Sequence, residues 1–486
     1  MQHEERLLID GELVEAEGNR TFETINPTTG EVLGRACDAS LSDATRAIVA
    51  ARRAFDTTTW PTDHAFRAHC LHQLHDALIR NTELLRELII AEVGAPETLT
   101  HGPQLETPIG IVSFYADLLE KFEWTEDIGT TEAYGSTHHR WVEKEPVGVV
   151  SAIVPYNYPL QITLAKLVPA LAAGCTVVVK GPPDTPWVTQ TFARILAEET
   201  DIPAGVVSVI SSSAVEVGEL LTTDPMVDMV SFTGSTAVGR RIMAAASDTV
   251  KKVFLELGGK SAYIVLDDFD MSVACMVAGY TICSHAGQGC AITTRMLVPR
   301  AKYDEAVEHL ASTLAGVPVG DPADPGTMMG PLINARQWDK VDGYVQRAIA
   351  SGATVATGGR RPEHLPNGFF YEPTLLVGVD PDSAIAQEEV FGPVLALIPY
   401  DDDDDAVEIA NNSIFGLSAS INGTDRERAL RVARRIRAGT VSVNGGLWYG
   451  PDCPFGGYKQ SGIGREMGVP GLLEYLELKT LAEPVS

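Results

Sequence analysis

From Val147 to Gly259 the chain alternates short apolar, β-branched runs with stretches of helical spacing, and that alternation constrains the fold most. Val147–Val154, Thr176–Val179, Val206–Ile210 and Met229–Phe232 read as strands buried on both faces, since they lack a polar residue at every second position. Between them Ile162–Ala173, Thr189–Glu199 and Val215–Leu221 carry helical spacing, and Gly174 stands where a C-cap glycine belongs. A parallel, doubly wound, Rossmann-like unit is expected. At 486 residues the chain exceeds what one hydrophobic core serves. A second α/β region is expected from Ser261-Ala262-Tyr263-Ile264-Val265-Leu266 to about Phe455, interrupted by a Pro/Gly-rich ordered loop at Val317–Gly326.

Trp124–Lys144 and the tail from about Val469 fit neither unit. The alternation in Thr137-His138-His139-Arg140-Trp141-Val142-Glu143 predicts an exposed hairpin whose uncovered edge invites association. The acidic run Asp401–Asp405 directly precedes Ala406-Val407-Glu408-Ile409-Ala410 and is expected to start a helix rather than hold a metal. No Cys/His cluster has zinc spacing, so metal dependence is not expected. A formal charge of −28 repels phosphate backbones and anionic lipid, which argues against nucleic acid or a membrane surface as partner. The first ten residues lack a basic n-region and a long apolar stretch, and the seven cysteines lack framework spacing. Both points favour the reducing cytoplasm.

Two segments carry the chemistry: Glu256-Leu257-Gly258-Gly259-Lys260, then Gly287-Gln288-Gly289-Cys290. They read as a base and a nucleophile, for a thiolate attacks well and a carboxylate that activates water can release the resulting thioester. Asn157, beyond the carboxyl end of an apolar strand, offers an amide N–H that with the Cys290 backbone N–H would hold a developing oxyanion. The chain lacks a G-x-G-x-x-G fingerprint, and Phe254 occupies the first glycine position a phosphate loop at Gly258-Gly259-Lys260-Ser261 would need.

These segments, with Pro155-Tyr156-Asn157-Tyr158-Pro159, Phe232-Thr233-Gly234-Ser235-Thr236, Glu389-Val390-Phe391-Gly392-Pro393, Pro454-Phe455-Gly456-Gly457 and Ser461-Gly462-Ile463-Gly464-Arg465-Glu466, resemble the NAD(P)-dependent aldehyde dehydrogenase superfamily in its order and over nearly the whole chain. The resemblance implies an α/β fold: a Rossmann-like cofactor domain (1–122 and 146–258), an α/β catalytic domain (259–458) and a small β oligomerisation arm (123–145 and 469–486). The implied reaction oxidises an aldehyde to its acid through a Cys290 thiohemiacetal and a thioester hydrolysed by Glu256-activated water. Lys166 and Glu466 match positions that contact that base. The cofactor, NAD with NADP left open, would lie on Ile153, Val154, Pro155, Tyr156, Lys180, Phe232, Thr233, Gly234, Ser235, Leu257, Gly258, Glu389 and Phe391. Pro183 stands where NAD-preferring members often carry a glutamate, and His285 where an asparagine is usual. By position Tyr115, Tyr158, Ala165, Trp448, Tyr449 and Phe455 would line an aldehyde tunnel suited to an uncharged aliphatic or aromatic substrate. A homodimer or homotetramer is implied. The alternatives are a coenzyme A-acylating semialdehyde dehydrogenase, against which Glu256 counts, and a crystallin-like binding protein, against which the intact Cys290, Glu256 and Asn157 count.

Overall fold

In the computed structural model, which describes residues 2–485, the chain builds two large sheets, a three-stranded one and a two-stranded one of Thr21–Ile25 and Val32–Cys37. Met1 and Ser486, at the outer ends of the expected domain ranges, lie outside the described residues. The first sheet has eight strands, in the order Gly462–Ile463, Lys252–Glu256, Met229–Thr233, Val149–Ile153, Thr176–Gly181, Val207–Ser211, Leu7–Ile9, Glu12–Val14. Five adjacent strands are parallel, and each of the three added at the edges pairs antiparallel with its neighbour. The buried apolar runs of the sequence form this parallel core. Helices Pro159–Ala173, Pro186–Glu199, Val215–Thr223 and Thr236–Ala246 connect its strands.

Because Val149–Ile153 pairs with Thr176–Gly181 on one side and Met229–Thr233 on the other, the strand order reverses there. Ligands of open α/β sheets bind at the carboxyl ends of strands beside such a reversal. The segments emerging at that place are Val154–Tyr158 and Gly234–Ser235.

The second sheet holds seven strands in the order Thr354–Thr357, Thr374–Val377, Val394–Tyr400, Thr293–Pro299, Ser261–Val265, Ser418–Asn422, Thr440–Val443, all parallel except the first. It has its own apolar core. Asp402 caps the helix Asp403–Asn411 by accepting from the N–H groups of Asp404 and Asp405, as the acidic run anticipates.

The third sheet is an antiparallel meander. Leu476–Val485 pairs with Ser136–Pro146, which pairs with Thr125–Ala133. The tail is not all arm, however. Gly468–Leu473 is a helix packed on Pro159–Ala173, and Gly462–Ile463 has joined the first sheet. Among the described residues, no helix is long and apolar enough to cross a membrane.

Candidate active site

Cys290 sits in the loop before Thr293–Pro299, at the end of a left-handed turn formed by His285, Ala286 and Gly287, with φ of 46°, 51° and 71°. Two non-glycine residues in this conformation are strained. A side chain on Gly287 would collide with the carbonyl of Gly392, so only glycine closes the turn. The fully buried Gln288 pins the loop: its Oε1 accepts the Ile333 N–H at 3.0 Å and its Nε2 donates to the His285 carbonyl at 3.2 Å. Asn157 Nδ2 donates to the Gln288 carbonyl at 2.8 Å, and Gln104 Nε2 donates to the Asn157 carbonyl at 2.8 Å. One Asn157 N–H is thereby committed, and the second is the donor available to an incoming oxygen.

Two cavities meet at this loop. The larger, about 350 Å³, is lined by Tyr158, Gln161, Trp448, Tyr449, Phe455 and Met467 and reaches Glu256 and Glu466. The smaller, about 170 Å³, is lined by Pro155, Tyr156, Gly234, Ser235, Leu257, Gly258, Lys340, Glu389 and Phe391. Cys290, Asn157, Thr233 and Ile162 belong to both.

Electrostatics holds the resting thiol neutral. Burial, reinforced by the carboxylates of Glu256, Glu389 and Glu466, pushes the Cys290 thiol well above its usual range. Glu256 ends the strand Lys252–Glu256, is 2% exposed, and has no hydrogen-bond partner on either carboxylate oxygen. Burial first, then repulsion from Glu466, raises it well above the ordinary carboxylate range, with Lys166 and Arg465 pulling the other way. Lys166 Nζ donates to Glu466 at 2.8 Å and to Ser231 Oγ at 3.4 Å, with the Phe254 ring 4.7 Å away. The pair flanks Glu256 without a hydrogen bond to it.

Residues of the smaller cavity offer groups that could hold part of a dinucleotide. Ser235 caps the helix Thr236–Ala246 beside the cavity, presenting a helix N-terminus to a pyrophosphate. Glu389 Oε1 accepts the Gly259 N–H at 3.0 Å, and its Oε2 lies 2.5 Å from where a β-carbon on Gly258 would sit. Only glycine permits that approach. Phe391, at φ 62°, meets Tyr156 edge to face at 6.1 Å. Lys180 donates to the Ser212 carbonyl at 3.1 Å, and burial lowers its ammonium to about 8.

Several of the expected site residues lie outside both cavity linings. Tyr115 and Ala165 line neither cavity: Tyr115 is fully buried with its hydroxyl donating to the Gly468 carbonyl at 3.0 Å, and Ala165 packs in the core. Lys180, Ile153, Val154 and Phe232 also lie outside both linings. His285 is buried, and burial lowers its imidazole to about 3. Sequence reasoning missed Gln161, Thr281, Ser284 and Met467 in the larger cavity and Gln337 and Lys340 in the smaller. Neither Gln161 nor Lys340 carries a local signal.

The model of the family described as "Aldehyde dehydrogenase family" matches residues 13–481. The chain is 41% identical over 478 residues to a 3-succinoylsemialdehyde-pyridine dehydrogenase from Pseudomonas sp, covering 97% of each. It superposes with TM-score 0.94 and 41% identity on a Mycobacterium tuberculosis aldehyde dehydrogenase solved with NAD+, covering 98% of each chain. A cysteine-to-alanine mutant of aldehyde dehydrogenase C from Pseudomonas syringae, solved with NAD+ and octanal, matches at TM-score 0.93 and 38% identity, over 99% of this chain and 96% of that one.

Proposed function

The chain belongs to the aldehyde dehydrogenase family, and from that premise we propose that Cys290 is the nucleophile with which it oxidises an aldehyde to a carboxylic acid. The observation that carries this reading is that one sulfur borders both cavities, one sized for an aldehyde and one suited to a dinucleotide. Once deprotonated, Cys290 Sγ adds to the aldehyde carbon. The oxygen that becomes negative is held by the free N–H of Asn157 and the backbone N–H of Cys290, an arrangement worth about a hundredfold to a thousandfold in rate per donor. When bound, NAD(P)+ would supply the hydride acceptor that the change from thiohemiacetal to thioester requires. Glu256 then takes a proton from the water that hydrolyses it, while Lys166 and Glu466 set the charge around that carboxylate.

Pro155, Gly234, Ser235, Leu257, Gly258, Glu389 and Phe391 would hold the dinucleotide, with Lys180 toward the adenosine ribose. NAD is the expected cofactor, and Pro183 offers no charge against the 2′-phosphate of NADP. We divide the chain into a cofactor unit, a catalytic unit and an arm, a reading supported by the separate eight-, seven- and three-stranded sheets. Through the arm's open edges we assign a homodimer or homotetramer, and seven unpaired thiols suit a cytoplasmic enzyme.

The test is absorbance of NADH on mixing enzyme, NAD+ and octanal. Formation without coenzyme A supports hydrolysis by Glu256. A strict requirement for coenzyme A would replace this reading by the acylating one, and no NADH with any aldehyde would end both.

A further inference from the structure

The ion pair beside Glu256 is held from behind by two hydroxyls that line neither cavity. Lys166 is fully buried in the helix Pro159–Ala173, and its Nζ has three neighbours for its three N–H groups: Glu466 at 2.8 Å, Ser231 Oγ at 3.4 Å and the Phe254 ring, whose centroid lies 4.7 Å away. Ser231, fully buried in the strand Met229–Thr233, shares a second hydrogen bond, of 3.0 Å, with the Tyr475 hydroxyl. Tyr475 is buried and directly precedes the arm strand Leu476–Val485. Its carbonyl accepts the Val147 N–H at 3.0 Å, just past the arm strand Ser136–Pro146, so both roots of the arm meet there. A buried row of hydroxyls thus runs from the root of the arm to Lys166.

A lysine stem is flexible, and its ammonium pairs with whichever carboxylate it reaches. Glu256 is a second carboxylate beside this one, with no partner on either oxygen, and an ion pair there would neutralise the base that hydrolysis needs. We propose that Ser231 and Tyr475 are positioning residues, whose hydroxyls keep the Lys166 ammonium on Glu466 and off Glu256 so that the base stays free to take a proton from water. Neither is itself an acid or base at neutral pH: burial pushes the Tyr475 phenol well above its ordinary value, and a serine hydroxyl does not titrate there. Around Glu256, Lys166 and Arg465 favour its charge, while Glu466 and Glu474 oppose it, and the Cys290 thiol feels that charge in turn. An ammonium that swings from Glu466 to Glu256 therefore lowers the pKa of that carboxyl and weakens it as a base.

This inference rests on the dehydrogenase reading, and the experiment separates the two. Enzyme, NAD+ and a limiting amount of octanal are mixed and quenched at intervals over a series of pH values, and the acyl mass on the Cys290 peptide is followed by mass spectrometry. Its rise reports thioester formation and its decay reports hydrolysis. Ser231→Ala should slow the decay at its high-pH plateau by roughly threefold to tenfold and move the half-point of its pH profile down by about one unit, with the rise kept within about twofold. Tyr475→Phe should do the same more weakly. The double variant should be no slower than Ser231→Ala alone, because Tyr475 acts through Ser231. A half-point that stays or moves up in both variants, a rise slowed as much as the decay, losses that multiply in the double variant, or NADH formed with no acyl mass in any of these chains would overturn the proposal. Absence of both NADH and acyl mass would instead sink the dehydrogenase reading.

Discussion

Cys290, the proposed nucleophile, is placed among carboxylates, and its surroundings keep the resting thiol a poor one. Burial and the charges of Glu256, Glu389 and Glu466 all disfavour the thiolate. The sign is plain: a thiol whose pKa is raised is protonated below that value, so its reactivity climbs with pH well past neutrality. Alkylation of Cys290 by iodoacetamide, followed by peptide mass spectrometry without cofactor, should be slow at pH about 7 and faster by roughly tenfold per pH unit across the alkaline range. Glu256→Gln, which removes the strongest of the three repulsions, should speed it in the alkaline range, where Glu256 is itself ionised. A rate already maximal at neutrality would contradict this picture. The residues that carry the proposed chemistry were legible because each lies in a short contiguous segment whose spacing is local: Glu256 with Gly258, Asn157 between two prolines, Cys290 after Gly287 and Gly289. Tyr115 was not, since its hydroxyl turns to the Gly468 carbonyl, a contact far along the chain.

At the level of elements, the parallel strands could be read from their unbroken apolar runs, and the ends of the helices from their caps. What could not be read is which face each helix turns to the site. Gln161 and Lys340 enter the cavities by the rotation of Pro159–Ala173 and Ala335–Ala350, which packing sets rather than local sequence. A buried carboxylate illustrates the same point. Glu92, fully buried, accepts the N–H groups of Trp187 at 2.8 Å and Val188 at 3.0 Å, capping Pro186–Glu199 from a distant helix, and accepts the Thr24 hydroxyl at 3.0 Å. Burial outweighs these bonds and raises its pKa to about 8, against an ordinary value of 4.5. The folded chain therefore binds a proton there that the unfolded chain releases, so this contribution to stability is complete below about pH 4.5 and is lost as pH rises through about 8. Glu92→Gln should flatten the fall in Tm between these values, and Glu92→Ala should cost about 1–3 kcal/mol for each helix N–H left unpaired. A Tm profile unchanged in both variants would refute the assignment.

On the scale of the whole molecule, the two large sheets supply different halves of one site: Glu256, Asn157 and Ser235 come from the first, Glu389 and Phe391 from the second, and Cys290 from the loop between Ser261–Val265 and Thr293–Pro299. The small sheet stands apart, with Thr125–Ala133 and Leu476–Val485 as open edges. Light scattering should give the full chain a mass that is a multiple of 52.1 kDa, and a chain ending at Glu477 should fall to a single copy. A full-length monomer would remove the proposed role of the arm. The convergence on Cys290 is tested most directly by mass spectrometry of Glu256→Gln after mixing with NAD+ and octanal. One equivalent of NADH should form in a burst, with an acyl mass on the Cys290 peptide that persists because hydrolysis has stalled. Undiminished steady turnover with no adduct on Cys290, or an adduct on another cysteine, would contradict it.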